Sequence, residues 1–427
     1  MNKRFSPPDK LRGTVRVPAD KSIGHRSLIL AAMTQGPSRI GGYLAGQDVT
    51  STAKCLRRLG CEVSDLDGGE VVVEGSGWRP PPEAELEAGN SGTTMRLLAG
   101  ALAGRRGRYV LTGDASLSGR PMGRVAEPLR MMGAQVELGE GSHPPLTVTG
   151  GPLKAITYAL PVASAQVKGA VLLAGLQAEG STVVKEGHPS RDHTERLLRW
   201  LGAKVEQTGD TVSVAGGSEI FEREGFELEV PGDLSSAAYL LLAAALCPEA
   251  LVRVERVGLN PSRSGILEVL KAMGAEVEWF ARAEDPEPWG EVTTRSSKLR
   301  AIRVDGPMIP RIVDELPLVA LAATQAEGTT VIAGARELRV KESDRISVLA
   351  KGLRKLGARV EEQEDGLIVE GPTTLQGGFV DAAGDHRMAL TFAVAGLVAA
   401  GPVEIGRWEA ASVSYPGFES DLRSLAG

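Results

Sequence analysis

Six segments of the chain are apolar on every side: S-L-I-L-A-A-M from 27, M-R-L-L-A-G-A-L from 95, G-A-V-L-L-A-G-L from 169, A-A-Y-L-L-L-A-A-A-L from 237, L-P-L-V-A-L-A-A-T from 316 and M-A-L-T-F-A-V-A-G-L from 388. A helix without a polar face is stable only inside a core, so these segments predict six buried helices. Each follows an extended stretch and a polar turn: P-A-D-K-S at 18, A-G-N-S-G-T at 88, P-V-A-S-A-Q at 161, P-G-D-L-S-S at 231, I-V-D-E-L-P at 312 and A-G-D-H-R-M at 383.

A second phrase alternates with the first. It reads L-R-R-L-G-C-E-V at 56, L-R-M-M-G-A-Q-V at 129, L-R-W-L-G-A-K-V at 198, L-K-A-M-G-A-E-V at 270 and L-R-K-L-G-A-R-V at 353, with a truncated L-R-S-L-A-G at 422. Each copy predicts an amphipathic helix end, a glycine stop and a strand. Further strands follow at E-V-V-V-E-G (70), T-V-S-V-A-G (211) and G-L-I-V-E-G (366). The predicted unit is strand, buried helix, strand, amphipathic helix and two strands, six times over. That period is a structural unit rather than a short solenoid repeat.

At 427 residues the chain exceeds one ordinary core, so six units divide into two domains of three. A net charge of −6 leaves no broad basic surface for nucleic acid, and no apolar run approaches the roughly 20 residues of a membrane span. The start, M-N-K-R-F-S-P-P-D-K, lacks the apolar core of a secretory signal. Cys55, Cys61 and Cys247 are odd in number and form no C-x-x-C pair, which fits a reduced, cytoplasmic setting. None lies in a polar turn, so all three read as core residues.

The polar turns carry the candidate chemistry. Helix N-termini attract anions through free N–H groups and disfavour cations. Yet Lys21 and Arg26 flank one such start, with Ser22 as its expected cap, and Arg387 occupies another. Lys341 and Arg345 are four apart in K-E-S-D-R, which predicts a helix opening there. Arg120 and Arg191 stand just ahead of two amphipathic helices. Gly92 and its neighbours, together with Ser164 and Gln166, add N–H groups, a hydroxyl and an amide. Plainer readings exist for each: solvated lysines, paired arginines, capped turns. Collected at helix starts in an acidic chain, these residues point instead to a small, highly anionic ligand. Asp314 and Glu342 stand among the cations. They read either as ion-pair partners or as proton-moving groups, which a mere anion binder would not need. D-H-T-E at 192–195 has no other ligand-spaced His or Cys and reads as a helix cap rather than a metal site, and no Walker or G-x-G-x-x-G loop occurs.

These motifs resemble one family. D-K-S-I-G-H-R (20–26), G-N-S-G-T-T-M-R-L (89–97), S-G-R-P-M (118–122), P-V-A-S-A-Q-V-K (161–168), D-E-L-P (314–317), K-E-S-D-R (341–345) and D-H-R-M (385–388) resemble, in order, the 5-enolpyruvylshikimate-3-phosphate synthases. The resemblance implies an α/β (α+β) fold: a two-domain inside-out α/β barrel of six βαβαββ repeats. One domain would comprise 1–19 and 232–427, the other 20–231, with the active site in the cleft and closure on substrate. It implies transfer of the enolpyruvyl group of phosphoenolpyruvate to the 5-hydroxyl of shikimate 3-phosphate by a cytoplasmic monomer without metal or organic cofactor. Carried over residue by residue, Lys21, Ser22, Arg26, Ser164, Gln166, Arg191, Asp314 and Lys341 contact shikimate 3-phosphate. Lys21, Gly92, Arg120, Gln166, Arg345 and Arg387 contact phosphoenolpyruvate. Asp314 is the candidate base, and Glu342 and Lys21 are the candidates for protonating the methylene carbon. Glyphosate is the expected competitor.

One departure stands out: Val413, in S-V-S-Y-P, replaces a lysine that some members carry. The rival reading is a UDP-N-acetylglucosamine enolpyruvyl transferase, whose family typically carries a Cys or Asp near Arg120; no cysteine lies there. A non-catalytic binder of a phosphorylated metabolite is the third reading, against which Asp314 and Glu342 weigh.

Overall fold

The computed structural model describes residues 1–42, 46–66 and 68–426. The chain forms two compact units. Unit 1 comprises Met1–Pro18, Pro231–Glu284 and Pro288–Gly427, and unit 2 comprises Ala19–Val230 and Asp285–Glu287.

All six apolar segments are helices and all are buried: Lys21–Met33, Gly92–Ala103 and Ala165–Gly175 in unit 2, and Leu234–Leu246, Leu316–Thr324 and His386–Gly396 in unit 1. Burial of each leucine or isoleucine contributes about 1.5–3 kcal/mol before its ordering entropy is subtracted, so these helices form the two cores. Contact is close: a methyl group added to Gly100 would lie 2.1 Å from the carbonyl oxygen of Ala170, so Gly92–Ala103 and Ala165–Gly175 meet backbone to backbone. The five glycines that stop the amphipathic helices, Gly60, Gly133, Gly202, Gly274 and Gly357, have φ of 86°, 111°, 89°, 96° and 87°. A Cβ would be strained in that left-handed region, which is why each phrase ends in glycine.

Sheet pairing repeats as well. Glu83–Glu87 runs parallel to Gly107–Thr112, which pairs antiparallel with Leu146–Gly150, itself antiparallel to Gln135–Leu138. The same order joins Thr157–Ala159, Ser181–Lys185, Thr211–Ala215 and Val205–Thr208. In unit 1 it joins Arg303–Val304, Gly328–Ile332, Gly366–Gly371 and Arg359–Gln363. Two further four-stranded sheets take their first strand from a distant part of the chain. Arg12–Val15, just before the Lys21 helix, pairs with Leu251–Gly258 in unit 1. Glu227–Glu229, just before the Leu234 helix, pairs with Gln35–Gly41 in unit 2. Lys3–Phe5, Val403–Gly406 and Gly378–Asp381 form a three-stranded sheet in unit 1. Where the two parallel strands are consecutive the buried helix links them, and the Lys21 and Leu234 helices likewise follow Arg12–Val15 and Glu227–Glu229, so each helix N-terminus follows the end of a strand. This brings the polar turns to strand ends, where loops carry chemistry.

Among the described residues no helix is long and apolar enough to cross a membrane.

Candidate active site

In unit 2 the first polar turn is capped by Asp20, not Ser22. Asp20 Oδ1 accepts from the N–H groups of Ser22 at 2.7 Å and Ile23 at 3.1 Å. A carboxylate there opposes the positive end of the helix better than a hydroxyl, so Lys21 starts the helix and Ser22 lies inside its first turn. Lys21 Nζ pairs with Asp48 at 2.9 Å. Arg26 is only 3% exposed. It donates to Ser22 O at 2.9 Å, Thr194 Oγ1 at 2.7 Å and Ala165 O at 3.2 Å. Burial pulls its guanidinium down to about 10, against the attraction of Glu195 and Asp20.

The next turns are tied to this one. Ser91 caps the helix that Gly92 begins, accepting from Thr94 N at 3.1 Å. A methyl group on Gly92 would lie 2.8 Å from Arg96 Nη1 and 3.6 Å from Arg120 Nη1, so both guanidinium groups border this glycine. Arg96 donates to Gln166 Oε1 at 2.5 Å, and Gln166 Nε2 donates to Thr93 Oγ1 at 2.9 Å. Arg120 donates to Asn90 Oδ1 and, at 3.2 Å, to Ser116 Oγ. Ser164 caps its helix as expected, accepting from Val167 N at 3.3 Å. Arg191 lies half-buried between Ser190 and Asp192. The expected cap at Asp192 does not form: its carboxylate pairs with Arg196 at 2.9 Å instead. His193 pairs through Nδ1 with Glu287 at 2.7 Å. Among the described residues no group of three or more His, Cys, Asp or Glu side chains is arranged to hold a metal.

Unit 1 corrects one expectation. K-E-S-D-R does not open a helix at Lys341. The helix is Arg345–Lys355, and Asp344 caps it, accepting from Ser347 N at 3.0 Å. Capping at Asp344 outcompetes an earlier start, so Lys341 and Glu342 lie on the connection from the short helix Arg336–Val340. Lys341 and Arg345 therefore do not share a helix face. They still belong to one cluster. Arg345, 1% exposed, pairs with Asp385 at 2.8 Å, Glu342 at 2.5 Å and Asp314 at 3.4 Å. Arg387 pairs with Asp314 at 3.3 Å and approaches Glu315 at 3.8 Å. Burial alone would lower both guanidinium groups, yet Asp385 and Glu342 around Arg345, and Asp314 and Glu315 around Arg387, hold them above the usual arginine range. Burial pushes the Lys341 ammonium down, with Asp314 opposing. Val413 ends the short helix Trp408–Val413.

Several participants escaped the sequence reading. Asp48, Arg96, Lys168, Glu315 and Asp385 all hold a candidate residue or its turn. Arg96, Lys168, Glu315 and Asp385 lay inside quoted motifs, where their spacing from an assigned neighbour was the available signal. Asp48 gave none. The cysteines are buried as expected, and burial raises their thiols to about 12 for Cys55 and about 11 for Cys61 and Cys247.

Helix starts lined with arginine, lysine and small polar groups, with carboxylates set among them, suit small anionic substrates. Residues 5–422 match the model of EPSP synthase (3-phosphoshikimate 1-carboxyvinyltransferase). A 3-phosphoshikimate 1-carboxyvinyltransferase of Geobacillus kaustophilus is 50% identical over 421 residues, covering 97% of this chain and 98% of that relative. A solved EPSP synthase from Acinetobacter baumannii superposes with a TM-score of 0.88 at 42% identity, covering 100% of this chain and 98% of that one. The enolpyruvyl transferase NikO from Streptomyces tendae superposes at 0.80 with 21% identity, covering 99% and 96%, and bears on the fold alone. The chain belongs to the EPSP synthase family.

Proposed function

We propose a division of labour for the family's reaction, in which the enolpyruvyl group of phosphoenolpyruvate passes to the 5-hydroxyl of shikimate 3-phosphate and phosphate leaves. That transfer, a step of aromatic biosynthesis, is the chain's activity. In this reading Lys21, Ser22, Arg26, Ser164, Gln166, Arg191, Asp314 and Lys341 hold shikimate 3-phosphate. Lys21, Gly92, Arg120, Gln166, Arg345 and Arg387 hold phosphoenolpyruvate. The observation that carries it is the placement of Asp314 between Arg345 at 3.4 Å and Arg387 at 3.3 Å. A base must sit beside the anion whose acceptor it activates, and two arginines fix its carboxylate geometrically.

Asp314 takes the proton of the 5-hydroxyl as its oxygen bonds to C2 of phosphoenolpyruvate. Glu342 or Lys21 delivers a proton to the methylene carbon. The methyl group formed then gives a proton back as the C2–O bond to phosphate breaks. Arg120, Arg345 and Arg387 stabilise the charge that develops on carboxylate and phosphate oxygens. Glyphosate takes the place of phosphoenolpyruvate. The recurring sheets support six βαβαββ repeats, three in each unit, as an inside-out α/β barrel, and the two units as the two domains. The reading is completed by a cytoplasmic monomer, which sedimentation of the purified chain checks.

Phosphate release from phosphoenolpyruvate tests the assignment. Release with shikimate 3-phosphate and none with UDP-N-acetylglucosamine is expected. Release only with the nucleotide sugar would overturn the acceptor-site residues.

A further inference from the structure

Beneath the candidate shikimate 3-phosphate residues of unit 2 lies a buried ionic cluster with no role in the chemistry above. Lys168, 1% exposed, pairs with Glu186 at 2.6 Å and Glu195 at 2.7 Å and donates to Ser190 O at 3.3 Å. Glu186 also clamps Ser190: each carboxylate oxygen accepts from Ser190 N at 3.3 Å, and Oε1 accepts from Ser190 Oγ at 2.5 Å. The two carboxylates hold the Lys168 ammonium above its usual range despite burial.

A buried ion cluster is weak evidence for stability, because desolvation offsets most of the attraction. Its geometry suggests another use. Glu186 and Ser190 are the two buried ends of a turn whose middle, Gly187–Pro189, is exposed. The clamp therefore closes the base of that turn, and Arg191 is the next residue. Its Cα is about 3.8 Å from that of Ser190 by covalent geometry. On the other side, Asp192 is held by the first turn of the His193–Trp200 helix, its carbonyl accepting from Arg196 N at 3.0 Å. Arg191 thus projects from a backbone fixed on both sides. The same cluster ties in the other acceptor residues. Lys168 lies on the helix that Ser164 caps and whose first turn holds Gln166. Glu195 lies beside Thr194, which accepts from Arg26.

We propose that Lys168, Glu186 and Ser190 are positioning residues for shikimate 3-phosphate, acting chiefly by fixing the backbone from which Arg191 reaches the substrate. This rests on the assignment of Arg191 to that substrate.

Glu186→Gln is the informative variant, because Lys168 keeps Glu195 as its counter-ion and the fold keeps a balanced pair. Ser190→Ala is the second, with Ser190→Thr as its conservative rescue. Steady-state kinetics at saturating phosphoenolpyruvate should show KM for shikimate 3-phosphate raised about tenfold in Glu186→Gln and Ser190→Ala, the scale of one charge-assisted hydrogen bond. KM for phosphoenolpyruvate and kcat should stay within about twofold, and Ser190→Thr should recover most of the loss. In an Arg191→Ala background Glu186→Gln should add little, since its effect passes through Arg191. Unchanged shikimate 3-phosphate KM in both variants, or a fully additive double mutant, would overturn the positioning role while leaving the Arg191 assignment intact. An Arg191→Ala enzyme with unaltered shikimate 3-phosphate KM would overturn that assignment and the proposal with it.

Discussion

Gly92→Ala tests the assignment of the second polar turn in the smallest possible step. Gly92 does not have a positive φ, so alanine meets no backbone strain there. The added methyl would lie 2.8 Å from Arg96 Nη1, against 3.6 Å from both Arg120 Nη1 and Leu117 Cδ1. Only the first contact is too close, and it is with the end of a long flexible side chain. The core is therefore spared, and the guanidinium of Arg96 must shift by about half an ångström or more to reach van der Waals distance. Its 2.5 Å bond to Gln166 is what that shift disturbs. A charge-assisted hydrogen bond contributes about 1.5–3 kcal/mol, so losing part of it costs about 1.4 kcal/mol, or a factor of about ten. Phosphate release with varied phosphoenolpyruvate and saturating shikimate 3-phosphate should give a KM for phosphoenolpyruvate about tenfold higher. The thermal midpoint should move by no more than about 3 °C, because the cost falls on the site and not on the core. In an Arg96→Ala background, Gly92→Ala should have little further effect on that KM. A midpoint that drops by more than about 5 °C with an unchanged KM would refute the reasoning, since the methyl would then be striking the core.

Asp314→Asn should lower kcat by about a hundredfold or more while both KM values stay within a few-fold; equal losses in kcat/KM and affinity would make Asp314 a binding residue. Glyphosate should compete with phosphoenolpyruvate, and inhibition constants indifferent to phosphoenolpyruvate concentration would refute this. His25 is buried with Nδ1 on Thr52 Oγ1 at 2.6 Å, and burial lowers its imidazole to about 3. Between about pH 6.5 and pH 3 the unfolded chain binds a proton that the folded chain refuses, so this histidine costs stability as pH falls, by about 1.4 kcal/mol per unit. Urea unfolding at pH 6 and pH 4 should show the parent losing about 3 kcal/mol more than His25→Asn over that interval; equal losses would refute the assignment.

Periodicity made the buried helices and the glycine stops legible because both follow from local rules: no polar face, and a left-handed residue where a Cβ is disfavoured. It misplaced the start at K-E-S-D-R because the carboxylate of Asp344 caps a helix that begins only at Arg345. It named Ser22 as a cap for the same reason, when Asp20 two residues earlier was the stronger acceptor. The partners of the candidate cations were not legible. Lys21 meets Asp48 from the next helix, and Arg345 meets Asp385 forty residues on. Such pairs are set by tertiary packing, which no pattern along one element encodes. The strand Arg12–Val15 shows the same limit: R-G-T-V carries no pattern that names a partner, and although the resemblance groups 1–19 with 232–427, the pairing with Leu251–Gly258 comes from the structure.

The groups around the cations differ between the two units. Within unit 2 Lys21 pairs with Asp48, while Arg26, Arg96 and Arg120 donate to neutral groups that include carbonyls, the hydroxyls of Thr194 and Ser116, and the amides of Gln166 and Asn90. A neutral acceptor orients a guanidinium without itself cancelling charge. In unit 1, Arg345 and Arg387 face Asp314, Glu315, Glu342 and Asp385, and a carboxylate does cancel charge. Such a cluster holds an anion less strongly but supplies groups that accept and return protons. In the proposed division of labour Arg345 and Arg387 therefore bind phosphoenolpyruvate from among carboxylates, of which Asp314 and Glu342 are the candidates for moving protons. Replacing Gln166 or Asn90 should accordingly act on KM, and replacing Asp314 or Glu342 on kcat.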